Sequence, residues 1–152
     1  MCWGAAEWLW HLVGLGIAKR SLTIALQYAS QRYQFQKPII HFQGVCFQLA
    51  ELATKIEAAQ ALIQTTIEAH AHNEITPKLI SMAKLFASEL AVEATHVAMQ
   101  ILGGYGYMKN TPLEKYYRDA KLCTIGEGTS EIQKVIIAKA LQREKAPMSQ
   151  YV

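Results

Sequence analysis

"FQGVCFQLAELATKIEAAQALI", residues 42–63, decides the fold. Phe42, Val45, Leu49, Leu52, Ile56, Ala59 and Ile63 recur at alternating three- and four-residue steps. That period lines up one apolar face of a long helix. The pattern repeats downstream in Ile80, Ala83, Ala87, Leu90, Ala94, Val97 and Ile101, and upstream in Leu15, Ala18, Leu22, Ala25 and Ala29. Many of these positions are alanine, so the helices can approach closely. Lys55, Glu57 and Lys84 are assigned to the outer faces. No window shows strand alternation bounded by hairpin turns.

Breakers divide the helical segments. Lys37-Pro38 is expected to end the first, because the residue before proline is pushed out of the α region. Asn73 to Pro77 turns the second into the third, with Thr76 as N-cap and Pro77 at the first helical position. Gly103-Gly104-Tyr105-Gly106 stops the third. Thr111 and Glu114 frame a short helix beginning at Pro112, and a final helix runs to about Arg143. The expected fold is all-α, an up-down four-helix bundle with a short extra helix. Residues 1–15 form an apolar segment that opens the first helix, 16–143 the bundle, and 144–152 a tail.

A chain of 152 residues that is 51% hydrophobic can bury a real core. Its net charge of +3 is small and dispersed, which argues against nucleic acid. Cys2, Cys46 and Cys123 share no metal-type spacing and read as reduced, mostly buried thiols of a cytosol-like compartment. His70 and His72 fall on different helix faces, which argues against a metal site. The start, "MCWGAAEWLWHLVGLGIA", lacks a positive n-region and contains Glu7, so neither a signal peptide nor a membrane span is expected. Trp3, Trp8 and Trp10 there either are covered by another element or form an interaction patch.

"IGEGTSEIQ", residues 125–133, holds Glu127 between Gly126 and Gly128, just before Ser130 and Gln133 at capping-box spacing. Two readings stand. The acid complements a helix dipole, or the glycines bend it out of regular structure to reach into a cavity.

Six stretches in register carry a resemblance: "YASQRYQFQKPI" (28–39), "FQGVCFQLAE" (42–51), "MAKLFASELA" (82–91), "QILGGYGY" (100–107), "YYRDAK" (116–121) and "IGEGTSEIQ". From about Gly16 to about Leu141 the chain resembles the C-terminal helical domain of the acyl-CoA dehydrogenases. The resemblance implies FAD as cofactor, an acyl-CoA as substrate, and desaturation between Cα and Cβ of its thioester. It implies Glu127 as the base that takes the α-proton, Gly128 beside the acyl thioester, and the backbone amide at this position polarising the carbonyl.

The same resemblance implies FAD contacts. Arg32 grips the pyrophosphate, usually from a neighbouring subunit, and Phe35 belongs to its motif. Gln43 is another dinucleotide contact, Gln100, Gly103 and Gly104 lie against a partner subunit's FAD, and Thr129 and Glu131 touch the adenosine diphosphate half. The protein is expected in the cytoplasm or, in a eukaryote, the mitochondrial matrix, as a dimer or tetramer. Arg118-Asp119 is expected to be a structural ion pair, and the tyrosines at 105, 107, 116 and 117 to pack.

Three departures from the family pattern stand out. Gln36 replaces a usual glycine, so the turn near the pyrophosphate is expected to be altered. Gly126 replaces a usual tyrosine, which is expected to widen the acyl pocket or loosen the loop. Upstream of Gly16 the match dissolves, and Ala6 and Glu7 occupy positions that some branches use for a substrate-contacting arginine or an alternative base. The flavin-ring and acyl-chain domains of the family are not in these residues. A fragment, a truncated product or one subunit of a split enzyme would each explain that, with little or no turnover by this chain alone. The rival class is a non-catalytic helical interaction module that keeps the scaffold.

Overall fold

A computed structural model describes residues 5–144, and the side chains of residues 9–144. Helix α1 spans Ala5–Gln31, α2 Gln43–Ala71, α3 Pro77–Leu102, α4 Gly104–Tyr107, α5 Leu113–Cys123 and α6 Ser130–Arg143. The expected faces are the ones that pack. Leu15, Ala18, Leu52, Ile56, Ala59, Ile63, Ala83, Ala87, Leu90 and Ala94 form one buried cluster. Ala25, Ala29, Leu49, Ala98, Leu102 and Leu113 form a second.

These clusters also fix direction. The start of α1 meets the start of α3, and the ends of both meet the start of α2. Thus α1 and α3 run parallel, with α2 antiparallel to both. The fourth column is composite. Leu113, at the start of α5, packs at the far end with Leu102, whereas Glu144, just beyond α6, pairs with Lys78 at the start of α3 (2.6 Å). So α5 and α6 together descend antiparallel to α3, broken once by the loop at 124–129. Helix α3 is the centre of the bundle and touches α1, α2, α4, α5 and α6. Among the described residues no helix is long and apolar enough to cross a membrane.

Close approach of α1 and α3 depends on a missing side chain. A Cβ added at Gly14 would lie 2.9 Å from the Ala87 carbonyl oxygen, which is helix backbone and cannot swing aside. Gly16, two residues on, has nothing within 4 Å. Gly14→Val is therefore expected to destabilise the chain by about 3 kcal/mol through overpacking. Gly16→Ala should be neutral or stabilise it by about 0.5–1 kcal/mol through helix propensity. Urea unfolding of both variants checks this; equal effects would contradict the packing.

The structure corrects several local expectations. Helix α1 ends at Gln31, before Lys37-Pro38, and a two-residue-loop hairpin follows, Tyr33–Gln34 (β1) pairing with Lys37–Pro38 (β2). Its strands are too short to show alternation in sequence. Phe35 and Gln36 both take positive φ (47° and 67°), the signature of a type I′ turn. Gln36 thus adopts, at some strain, the left-handed conformation that a glycine would take freely. Thr76 caps α3 as expected, accepting from the Leu79 amide (3.2 Å).

Thr111 does not cap α5. Its hydroxyl donates to the Tyr105 carbonyl (2.9 Å), and Glu114 pairs with Arg118 (3.1 Å). Arg118 is therefore not paired with Asp119, which takes Lys115 one helical turn before it instead. Tyr107, at 80% exposed, does not pack either.

Candidate active site

The break in the fourth column is the Gly126–Gly128 loop. Helix α5 runs out through Gly126 N–H to the Leu122 carbonyl (2.9 Å), and Ser130 N–H closes back on the Thr124 carbonyl (3.1 Å). Between them Glu127 takes φ 53° and Gly128 φ 95°, two left-handed residues in succession. Gly128 adopts this freely; Glu127 does so against its Cβ. The result lifts Glu127 out of the column with its side chain exposed.

The capping differs by one residue from the sequence expectation. Thr129 is the N-cap of α6 and accepts from the Ile132 amide (3.4 Å). Gln133, buried, reaches back to donate to the carbonyls of Glu127 (3.4 Å) and Gly128 (3.3 Å). Ser130 is tied to the Glu89 carboxylate on α3. Glu131, in the first turn, is held below the usual carboxylate range by its own backbone N–H and then by the Thr129 hydroxyl. Thr129 and Glu131 thus serve the helix start, and among the described residues no hydrogen bond ties the Glu127 side chain to it.

The departure at Gly126 has a local consequence. A Cβ there would lie 2.9 Å from Cζ2 of Trp10, so the indole of α1 fills the space on that side. The loop is packed there rather than loosened. Cys2 and Trp3, and the side chains of Ala6, Glu7 and Trp8, lie outside the described residues.

Beneath the loop is a polar cluster in an alanine-rich core. Lys84 was assigned an outer face, yet it is 3% exposed and its ammonium donates to the Gly128 carbonyl. Its place on α3, four residues after Ile80 and three before Ala87, puts it on the inward stripe; charge alone hid this. His11 of α1 is fully buried near it. Burial, and then the charge of Lys84, lowers its pKa from 6.5 to about 4. Burial likewise pushes the Cys123 thiol up, so it stays protonated.

This gives a pH dependence. In the unfolded chain His11 takes a proton near pH 6.5, but in the fold it resists until about pH 4. Its stabilising effect is complete above pH 6.5, shrinks as the pH falls, and is gone below about 4. The expected loss is about 3 kcal/mol over that window. Urea unfolding between pH 7 and 4 measures it, and His11→Gln should flatten the acid limb; an unchanged limb would contradict the assignment.

The other candidate residues gather elsewhere. Arg32 follows the last turn of α1, its amide bonded to the Tyr28 carbonyl (2.8 Å). Phe35 is 87% exposed at the hairpin tip and meets Phe42 edge-on (6.1 Å). Gln43 opens α2, whose N-cap Phe42 supplies no side-chain cap. Gln100, Gly103 and Gly104 close α3, joined to this end by Tyr28 against Tyr105 (6.1 Å). Gly103 takes φ 58°, and both glycines have open space where a side chain would be. This end therefore offers a guanidinium, amides, a helix N-terminus and bare backbone, a donor set that fits a diphosphate.

The candidates thus fall into two groups. Glu127, Gly128, Thr129 and Glu131 lie in the loop and helix start that meet α3 at Lys84 and Glu89, and Arg32, Phe35, Gln43, Gln100, Gly103 and Gly104 gather at the end of α3. Lys84, below the loop, and Gly103 are separated along α3 by roughly 30 Å at the rise of an α-helix. One chain does not bring the two groups together.

Comparison with known proteins adds the ancestry. The family description "Acyl-CoA dehydrogenase, C-terminal domain" matches residues 8–142. An acyl-CoA dehydrogenase of Bacillus subtilis is 50% identical over 127 residues, which is 84% of this chain and 34% of that protein. An acryloyl-CoA reductase (NADH) of Anaerotignum propionicum is 45% identical over 129 residues, 85% of this chain and 33% of that protein. The butyryl-CoA dehydrogenase structure from Megasphaera elsdenii superposes with a TM-score of 0.88 at 37% identity, covering 90% of this chain and 36% of that one. The chain belongs to the acyl-CoA dehydrogenase family. Within it, this chain is the C-terminal helical domain, and it spans about a third of the length of the relatives it matches.

Proposed function

We propose that this chain supplies the catalytic base and part of the FAD site of an acyl-CoA dehydrogenase that desaturates an acyl-CoA thioester between Cα and Cβ. The observation that carries the reading is Glu127, raised out of the helical column by two left-handed residues, with the cap of α6 supplied by Thr129 and the first-turn acid by Glu131. Its carboxylate takes the α-proton, and the glycine-flanked backbone amide donates to the thioester carbonyl as charge builds there. Bound FAD would supply the acceptor for the β-hydrogen, which leaves as hydride. A relative whose name describes a reductase fits the same arrangement run backwards, the protonated carboxyl returning the proton to Cα.

The far end of the bundle would hold the diphosphate, through Arg32, Gln43 and the open glycines. Since the α3 residues that meet the Glu127 loop, Lys84 and Glu89, lie roughly 20–30 Å along the helix from that end, each complete site takes the loop from one copy of the chain and the far end from a second. The working form is then a homo-oligomer. Anaerobic reduction of the enzyme-bound flavin by an acyl-CoA tests the base. Loss of reduction in Glu127→Gln with binding retained supports it, and a wild-type rate would remove Glu127 from the role.

A further inference from the structure

Glu127 is held in a backbone conformation that its Cβ disfavours, so something must hold it there. Both carbonyls of the loop crest are gripped. Gln133 of α6 donates to those of Glu127 (3.4 Å) and Gly128 (3.3 Å), and Lys84 of α3 donates to that of Gly128. The grip from α3 is the more rigid one. Lys84 stands one turn before Ala87, where α3 is locked against Gly14 of α1 with no room for a methyl group. Its ammonium is buried, and a buried charge is tolerated only where polar partners meet it. The Gly128 carbonyl is one such partner.

We infer that Lys84 is a positioning residue that fixes the Glu127 loop to the bundle core through the Gly128 carbonyl. Loop placement then follows the α1–α3 packing rather than the loop's own preferences. Displacements of about 1 Å at a reacting group can cost about a hundredfold in rate, so such an anchor matters to proton transfer. The catalytic half of this inference rests on the proposed role of Glu127; the anchoring half does not.

Hydrogen exchange of the whole 152-residue chain, read peptide by peptide, tests the anchor. Lys84→Met keeps the stem and removes the donor. It should speed exchange of the Gly126 and Ser130 amides about tenfold while α1 and the rest of α3 stay protected. Lys84→Gln, a shorter neutral donor, should fall between, and Glu127→Gln should leave the loop protected.

In the complete enzyme, Lys84→Met should slow flavin reduction about ten- to a hundredfold at saturating acyl-CoA, with KM and FAD content unchanged. Unchanged loop exchange in Lys84→Met overturns the inference. So does exchange rising equally throughout α1 and α3, which would make Lys84 a core residue only. A loosened loop with wild-type flavin reduction also overturns the positioning role. If Glu127→Gln reduces flavin normally while Lys84→Met frees the loop, the anchor stands and the base assignment falls.

Discussion

Glu127→Gln in the complete enzyme is expected to reduce its flavin about a hundredfold to ten-thousandfold more slowly than wild type, the usual effect of losing a general base. The amide keeps the size of the carboxylate, and among the described residues no hydrogen bond that holds the loop uses the side chain. The grips from Gln133 and Lys84 fall on backbone carbonyls, so the loop should keep its shape and FAD and acyl-CoA should still bind. What is lost is the capacity to accept the α-proton. A carbon acid demands a base that is screened from water, and Glu127 is exposed on this chain, so the proposed role requires the loop to be covered in the working enzyme. Glu7→Gln, made alongside, should be nearly silent. If Glu127→Gln is unimpaired and Glu7→Gln is not, the base is Glu7.

Much of the fold was legible in the sequence because packing here follows a simple period. The apolar faces of all three long helices are the buried ones, and Thr76-Pro77 starts α3 as read. What escaped was set by contacts between segments distant in sequence. The Phe35–Gln36 hairpin has strands of two residues each, too short for any alternation. Lys84 was read by its charge although its spacing places it on the inward stripe, and what the sequence did not show is the loop carbonyl that receives the buried ammonium. The void left at Gly126 is filled by Trp10, a residue more than a hundred positions away whose role no local motif announces.

The candidate site was legible as residue types in register, and not as a place. Nothing in "QRYQF" or "IGEGTSEIQ" says that the two face opposite reaches of the bundle. That follows from α1 and α3 running parallel, which the alanine and glycine contacts at Gly14, Ala18, Ala87 and Ala94 enforce.

This separation yields the most direct test of the whole account. Arg32→Glu places a negative charge at the proposed diphosphate site, and Glu127→Gln removes the proposed base, so each variant enzyme alone is expected to be inactive. Co-expressed, the two chains should recover activity. In a mixed pair one site combines Glu127 from one copy with Arg32 from the other, while the second site carries both defects. Random pairing in a two-fold assembly then restores about a quarter of the wild-type active sites. If instead each chain built its site from its own two groups, every site would carry a defect and the mixture would stay inactive. Recovery near a quarter of wild-type flavin reduction is the result expected here, and a mixture as inactive as its parents would contradict it.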